Sequence, residues 1–440
     1  MASITSATSG PSNVGSTWTG GVVPVVGDKV TIQHPGTNNA NNTQYLLNGA
    51  RSAGDVNIPL DTGGGTIVAG ECIQVWHALG TDEDGQTIYD NAYYKVTTGI
   101  SGAGTLVIAA PGLTYAVADN TPIVNRGHVV ELAADHAWGD DTSSSTVTVS
   151  NAIAVNGTLK ASRSVSQTLT VRGSLFIGSA GTFDYGDSGD IIPSVVVATI
   201  LANDSAAPAV GKHGLASHNQ IGATWKLRGV RRTRNTTLTS ATLAGATSIA
   251  VDDSTGWAIG DELVIASDTS DGSRSQLVTI SAGSAPTWAI GAITNARLAG
   301  CKVGNLTSNV RIKALSSSFP AVCSFGCSSG STYVVRAADY FVENIGAPAG
   351  WVGGNINDPL YYAHGLVGAR NASDVLAKRV AAKQTNALGT TAFSTSAIGA
   401  ARTGFVDSAA HVTSATGQGL YLANSSVPYF LRTVVYRAAI

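Results

Sequence analysis

The sequence predicts an all-β protein, a right-handed parallel β-helix (solenoid) carrying a small inserted β subdomain. Three observations predict it. Short alternating strands recur with corners of one or two residues between them. Residues that cover the outer faces of helices are scarce. One corner device, a Trp followed by a Gly-Asp pair and an apolar strand, occurs twice.

The strands are clearest in TVTVSNAIAVNGTLKASRSVSQTLTVRGSLFIGSAGTFDYG, residues 146–186. Runs of four or five residues alternate there, which marks half-buried strands. Val155, Leu159, Val171, Leu175 and Ile177 are expected to point inward. Gly followed by Thr or Ser and an apolar residue starts at Gly65, Gly104, Gly157, Gly173 and Gly181. Few corners carry hairpin dipeptides, which favours stacked coils over a meandering sandwich.

Composition agrees. Charged residues make up 12% of the 440 positions, against about 25% in an average soluble protein. Lys and Glu are scarce, so few helix surfaces can be built. The formal net charge of −2 supplies no field for nucleic acid or a membrane surface. No apolar run reaches the roughly 18 residues of a membrane span.

The corner device appears as STWTGGVVPVVGDKVTI at Ser16–Ile32 and as STGWAIGDELVIASD at Ser254–Asp268. Gly27 and Gly260 suit positive φ, and Asp28 and Asp261 suit acceptance of a backbone N–H. Trp18 and Trp257 are the expected apolar lids. Both units are read as corners that begin coils. Four segments toward the end, SDVLAKRVAAK, TGFVDSAAHV, QGLYLANSSV and PYFLRTVVY, follow at roughly coil spacing, although Ser373–Lys383 also fits a short amphipathic helix capped by Ser373. Two stretches break the rhythm. Residues 69–126 read as longer strands with a hairpin at Asp84-Gly85, and NDSAAPAVGKHGLASHNQ reads as a loop. The expected organisation is an arm at 1–15, first coils at 16–68, the inserted subdomain at 69–126 and the main β-helix at 127–440.

In order, STWTGGVVPVVGDKVTI, NAIAVNGTLKA, LTVRGSLFIGSAGTF, ATWKLRG, TGWAIGDELVIASDTSDGSRSQLVTI and NLTSNVRIKA resemble the eight-glycine domain of fibrocystin and the cell-surface hyaluronidase family. The resemblance runs from Ser16 to Ala314, without residues 69–126, and is most specific at Trp257–Ile280. It implies a right-handed parallel β-helix and glycan contact. It does not imply hydrolysis, because activity belongs to a site and not to a scaffold.

Several clusters bear on chemistry. WKLRGVRRTRN holds Lys226, Arg228, Arg231, Arg232 and Arg234, the one dense basic stretch, suited to an anionic glycan or an acidic neighbour. INDPLYYAHGL brings together Asp358, Tyr361 and His364, the only catalytic candidates if the chain is glycan-active. A glycosidase mostly uses two carboxylates, and only Asp358 is near in sequence. Asp82, Glu83 and Asp84 lack the full calcium-loop spacing, and Asp184, Asp187 and Asp190 read as exposed turn residues or a cation ladder. Cys72, Cys301, Cys323 and Cys327 lack zinc spacing and read as small buried hydrophobes, with a disulfide among the last three left open. No cofactor or metal site is expected.

The opening MASITSATSGPSNVG has neither the basic nor the apolar region of a secretory signal. An exposed, low-charge rod without a leader is expected as a structural protein of a tailed bacteriophage virion: a tail fibre or spike, or a capsid-associated appendage. Host attachment through surface polysaccharide is expected, with other virion proteins as partners and a homotrimer or docked oligomer as the assembly. The alternatives are a polysaccharide depolymerase, hyaluronidase-like or lyase, and a bacterial surface adhesin.

Overall fold

In a computed structural model the described residues are 2–36, 45–62, 64–81, 87–90, 92–139, 152–172, 174–178, 180–203, 214–216, 224–269, 274–314, 322–324, 334–343, 374–384, 391–396, 402–413, 418–423 and 428–437. Among them the protein is all-β. Two short 3-10 turns, Gly15–Thr17 and Thr19–Gly21, are the only helical elements.

Most strands fall into three parallel sheets of six, nine and eight strands. The first runs from Ser3–Thr5 through Lys29–Ile32 and Ala152–Val155 to Val322–Ser324. The second runs from Gly10–Pro11 through Val129–Leu132 and Thr224–Arg228 to Pro428–Leu431. The third runs from His136–Trp138 through Gln167–Arg172 and Val310–Ala314 to Val434–Arg437. The chain visits them in turn, so each circuit lays one strand on each face. Ala152–Val155, Thr158–Ala161 and Gln167–Arg172 make one such circuit, and each pairs in parallel with its successor one circuit later.

The alternation seen in sequence sets what faces inward. Val155, Leu159, Val171, Leu175 and Ile177 are all buried in one core with Val130, Phe183, Trp225 and Ile312. Aromatic rings stack along it: Phe183 lies 4.7 Å from Trp225, and Trp18 meets Trp138 edge-on at 5.7 Å. Each large apolar side chain buried this way contributes about 1.5–3 kcal/mol.

One corner between the second and third sheets repeats over four circuits. Asp339, Arg379, Asp407 and Arg432 each take a positive φ of 47–56° there. Arg379 grips Asp339 with two bonds of 2.8 Å, and Arg432 pairs with Asp407. Residues 374–384 form two strands around Arg379, Asp374–Lys378 and Ala381–Gln384, so the helical alternative is excluded. The loop expected near residue 214 contains a strand of the first sheet, Gly214–Ala216.

Two antiparallel units interrupt the circuits. The first is a closed six-stranded barrel: Tyr45–Leu47, Asn57–Thr62, Cys72–Val75, Tyr93–Thr98, Gly104–Ile108 and Pro122–Asn125. It is wider than the expected insert at 69–126. The second was not foreseen: Asn235–Thr237, Ser248–Ala250, Glu262–Ile265, Gln276–Ser284, Thr287–Ile290 and Lys302–Asn305. Its strands neighbour one another in the same order as those of the first barrel, and the Leu238–Val251 bridge joins its two ends. Each unit has its own core, around Ile58, Leu106 and Ile123 in one and Ile249, Leu263 and Val303 in the other.

The two Gly-Asp corners share their local geometry. Val25–Asp28 and Ala258–Asp261 are turns closed by bonds of 3.1 Å, with Gly27 at φ 90° and Gly260 at φ 91°. Glycine is the residue that takes such a φ without strain at this position. The carboxylates of Asp28 and Asp261 accept the N–H groups of Val25 and Ala258. Only the first turn starts a parallel strand. The second starts a barrel strand, Glu262–Ile265, paired antiparallel on both sides. The expectation that both begin coils is corrected: the turn specifies a chain reversal, and distant partners decide the sheet.

Candidate functional site

The basic stretch and the acidic stretch meet on the outer face of the second sheet. Glu131, Lys160, Asp184 and Lys226 are successive cross-strand neighbours there, with charge alternating from strand to strand. Opposite charges at such positions are mutually stabilising. Arg163 binds Asp184 at 2.7 Å and Asp190 at 3.0 Å, and Lys226 binds Asp187 at 3.0 Å. The first barrel closes over this row. Tyr93 donates its hydroxyl to Asp184 at 2.5 Å, and Lys160 sits over the Tyr93 ring. Burial pushes the Asp184 carboxyl up, but Arg163, Lys226 and Lys160 outweigh it and hold it well below the usual carboxylate range. Burial, then the Asp184 charge, raises the Tyr93 phenol. Asp184, Asp187 and Lys226 are therefore buried clamp residues between rod and barrel, not exposed turn residues.

The remaining basic residues lie where the chain leaves the rod for the second barrel. Arg232 donates to Asp261 at 3.0 Å. Arg234 is fully buried and donates to the carbonyls of Arg379, at 2.7 Å, and of Thr307 and Asn305. Its pKa is lowered to about 10 by burial. Arg228 lies 4.0 Å from Asp339, and Arg231 is exposed. Lys226, Arg232 and Arg234 are thus buried, and the density of positive charge marks a junction. Guanidinium suits such a place because its fixed fork satisfies several carbonyls at once.

Of the corner residues, Trp18 donates its indole N–H to Ser12 at 2.8 Å and Trp257 to Thr233 at 2.7 Å. Cys72 and Cys301 are buried free thiols, and burial raises the Cys72 thiol to about 11. Cys323 lies in the strand Val322–Ser324, and Cys327 is outside the described residues. Asp358, Tyr361 and His364, and the acidic trio Asp82, Glu83 and Asp84, also lie outside them. Among the described residues no group of three or more His, Cys, Asp or Glu is placed to hold a metal ion. None of their helices is long and apolar enough to cross a membrane.

Sequence reasoning passed over one group of side chains. Trp76 and Tyr89 rings lie 5.6 Å apart, and His77 stacks on Tyr115 at 5.7 Å. They surround the base of a two-stranded ribbon, Ala78–Thr81 paired with Thr87–Tyr89, on the first barrel. The available signal was the density of rings in VWHALG, TIY and LTY. Their separation along the chain hid the cluster.

No family model matches the chain, and no curated protein matches it. The eight-glycine likeness therefore stands on the quoted segments alone, and the most specific of them lies in an antiparallel barrel. Among solved structures the chain is similar to the tailspike gp61 of Pseudomonas phage phi297, with 12% identity, covering 62% of this chain and 39% of that one, at a TM-score of 0.19. It is similar to the gp54 tailspike of Acinetobacter baumannii bacteriophage AP22, solved with A. baumannii capsular saccharide, with 12% identity, covering 63% of this chain and 48% of that one, at a TM-score of 0.18. The tailspike gp49 of Pseudomonas phage LKA1 shares 10% identity over 94% of this chain and 65% of that one, at a TM-score of 0.19. The chain spans less than two thirds of each of them. At these values the likenesses carry no functional argument.

Proposed function

We propose that the chain is a right-handed parallel β-helix serving as a structural component of a tailed-phage virion, a spike, fibre or capsid-associated appendage that meets host-surface glycan. The observation that carries this reading is the parallel ladder on three faces. Backbone bonds run between successive circuits, so the scaffold resists bending and proteolysis without a high density of charge. Connections between parallel strands of one sheet are right-handed in about 98% of cases, which supports the handedness. Strands about 4.8 Å apart give the nine-stranded sheet a length of roughly 40 Å. Both barrels are held to this rod by buried ion pairs and carbonyl contacts, which suits modules displayed at fixed positions. Other virion proteins, or copies of the chain in a trimer, are the proposed partners.

The test is direct. An antibody against the chain should label purified virions under the electron microscope, and the chain should appear in their peptide digest. Purified chain should bind host cells and lose that binding once surface polysaccharide is stripped. Absence from washed particles would refute the virion role.

A further inference from the structure

We propose that Trp76, His77, Tyr89 and Tyr115 form a binding site for an uncharged saccharide on the first barrel. The proposal deepens the glycan contact inferred above and rests on that reading.

Asp90 ties together the backbones that carry the two ring pairs. Asp90 follows Tyr89 directly, and its N–H donates to the His77 carbonyl at 2.8 Å. Its carboxylate accepts the Tyr94 hydroxyl at 3.0 Å, the Ala92 N–H at 2.9 Å and the Thr114 hydroxyl at 3.4 Å, and Thr114 precedes Tyr115. Asp90 is buried, while Tyr115 is 43% exposed and the other three rings are partly exposed. The platform is therefore set before any ligand arrives, which lowers the ordering cost of binding.

The second barrel supplies a comparison inside the same molecule. The Trp76 N–H donates to Pro122 at 2.9 Å, and at the matching place the Ala266 N–H donates to Lys302 at 2.9 Å. Ala266 and Ser267 stand where the first barrel has Trp76 and His77. The Arg51–Val117 bridge matches Thr242–Arg297, which sets Asn295 opposite Tyr115. The second barrel thus closes without these rings.

Ring chemistry and local charge select the ligand. Trp, Tyr and His each combine an apolar face with a polar edge. A pyranose offers the complement, with C–H groups on its faces and hydroxyls around its rim. Residues 76–90 contain no Lys or Arg, and the described carboxylate among them, Asp90, is buried beside the rings. That balance opposes a phosphate, sulfate or nucleic-acid ligand.

The experiment is an array of immobilised neutral and uronate-bearing oligosaccharides probed with the purified full chain, followed by calorimetry on the sugars retained. At least one neutral sugar should be retained. Trp76→Ala and Tyr115→Ala should each weaken it tenfold or more, and Trp76→Phe should keep most of the affinity. Asn295→Ala, at the matching place on the second barrel, should change nothing. Melting curves confirm that each variant is folded, and exposed Tyr115 is the safer truncation. Retention of no neutral sugar, or equal retention by both alanine variants, overturns the site. Binding to cells stripped of polysaccharide that Trp76→Ala abolishes would identify a protein ligand and also overturn it. If the chain is in the virion and a variant carrying both Trp76→Ala and Tyr115→Ala still binds cells like wild type, the site fails while the virion role stands. Absence from virions, with sugar binding on the array lost in the variants, is the converse.

Discussion

Glu71 and Asp261 occupy the same position in two copies of one barrel. Each carboxylate accepts the N–H three residues back, from Val68 at 2.8 Å and from Ala258 at 3.1 Å. Each accepts an Asn side chain from the last strand, Asn125 at 3.0 Å and Asn305 at 2.8 Å. Their backbones are bracketed alike: Gly70 and Glu71 bond Val96, and Gly260 and Asp261 bond Ile280. Even the irregularity between the fourth and fifth strands recurs, at Val96/Thr98 and at Ile280/Ala282. The neighbours from outside the barrel differ: His34 and the Gly36 N–H lie against Glu71, and Arg232 lies against Asp261.

The first prediction follows from that clamp. Asp261→Ala leaves Arg232, Asn305 and the Ala258 N–H without their shared acceptor. Breaking a buried charge pair costs about 3–5 kcal/mol. Among the described residues the Asp28 carboxylate accepts the Ala2 and Val25 N–H groups alone, so Asp28→Ala should cost about 1–2 kcal/mol. Native-state hydrogen exchange should show Glu262–Ile265 deprotected in the first variant alone. Equal protection in both would contradict the shared-acceptor account.

Gly260→Val should destabilise the second barrel by about 1–3 kcal/mol, and Ser267→Val should have little effect. A Cβ at Gly260 meets nothing within 4 Å, so the cost comes from its φ of 91° alone. Chemical denaturation of both variants checks this, and indistinguishable midpoints would dismiss it.

Arg379→Met should cost about 3–5 kcal/mol, because it removes the two-bond partner of the fully buried Asp339 carboxylate and leaves Arg228 4.0 Å away. Asp339→Asn combined with Arg379→Met should recover part of that loss, giving a favourable coupling in a double-mutant cycle. Additive effects would mean that the corner does not act as a pair.

His411 makes the junction pH-sensitive. It lies buried between its cross-strand neighbours Lys383 and Tyr436, with both ring nitrogens unpartnered among the described residues. Glu262 of the second barrel pairs with Lys383, and Tyr436 bonds Asn235 of the same barrel. Burial first and the Lys383 charge second push the His411 pKa down to about 4. The unfolded chain, with His near 6.5, binds a proton that the folded chain refuses. Stability is therefore fully present above about pH 6.5 and falls as pH drops toward 4. His411→Phe should flatten that slope when denaturation midpoints are compared between pH 7 and 4.5. An unchanged slope would show that another group controls it.

Far-ultraviolet circular dichroism should show a strand spectrum without the helical double minimum, as the absence of α-helix among the described residues requires. A strong double minimum at physiological pH would contradict the fold.

Much of this was legible in the chain. Alternation identified the inward residues Val155, Leu159 and Ile177, and the two Gly-Asp turns were read with the correct local role. What failed was everything that depends on a distant partner. The stretch around Asp261 looked like the one around Asp28 because their turns are the same; its true counterpart at Glu71 differs in sequence and shares a strand environment. The basic stretch from Lys226 to Arg234 looked like a surface because its acceptors, Asp187, Asp261 and the Arg379 carbonyl, are all 29 or more residues away.

By itself the sequence determined that the chain is built of strands, where many of them turn, and which of their side chains are buried. Those are local properties, set by φ at glycine and by the two-residue period of side chains. Only the tertiary structure decided which strands run parallel in the rod and which close into barrels, which charges become internal clamps, and which rings gather around Asp90. Alternation reports that one face of a strand is buried, but it does not carry the direction or identity of the neighbour that buries it.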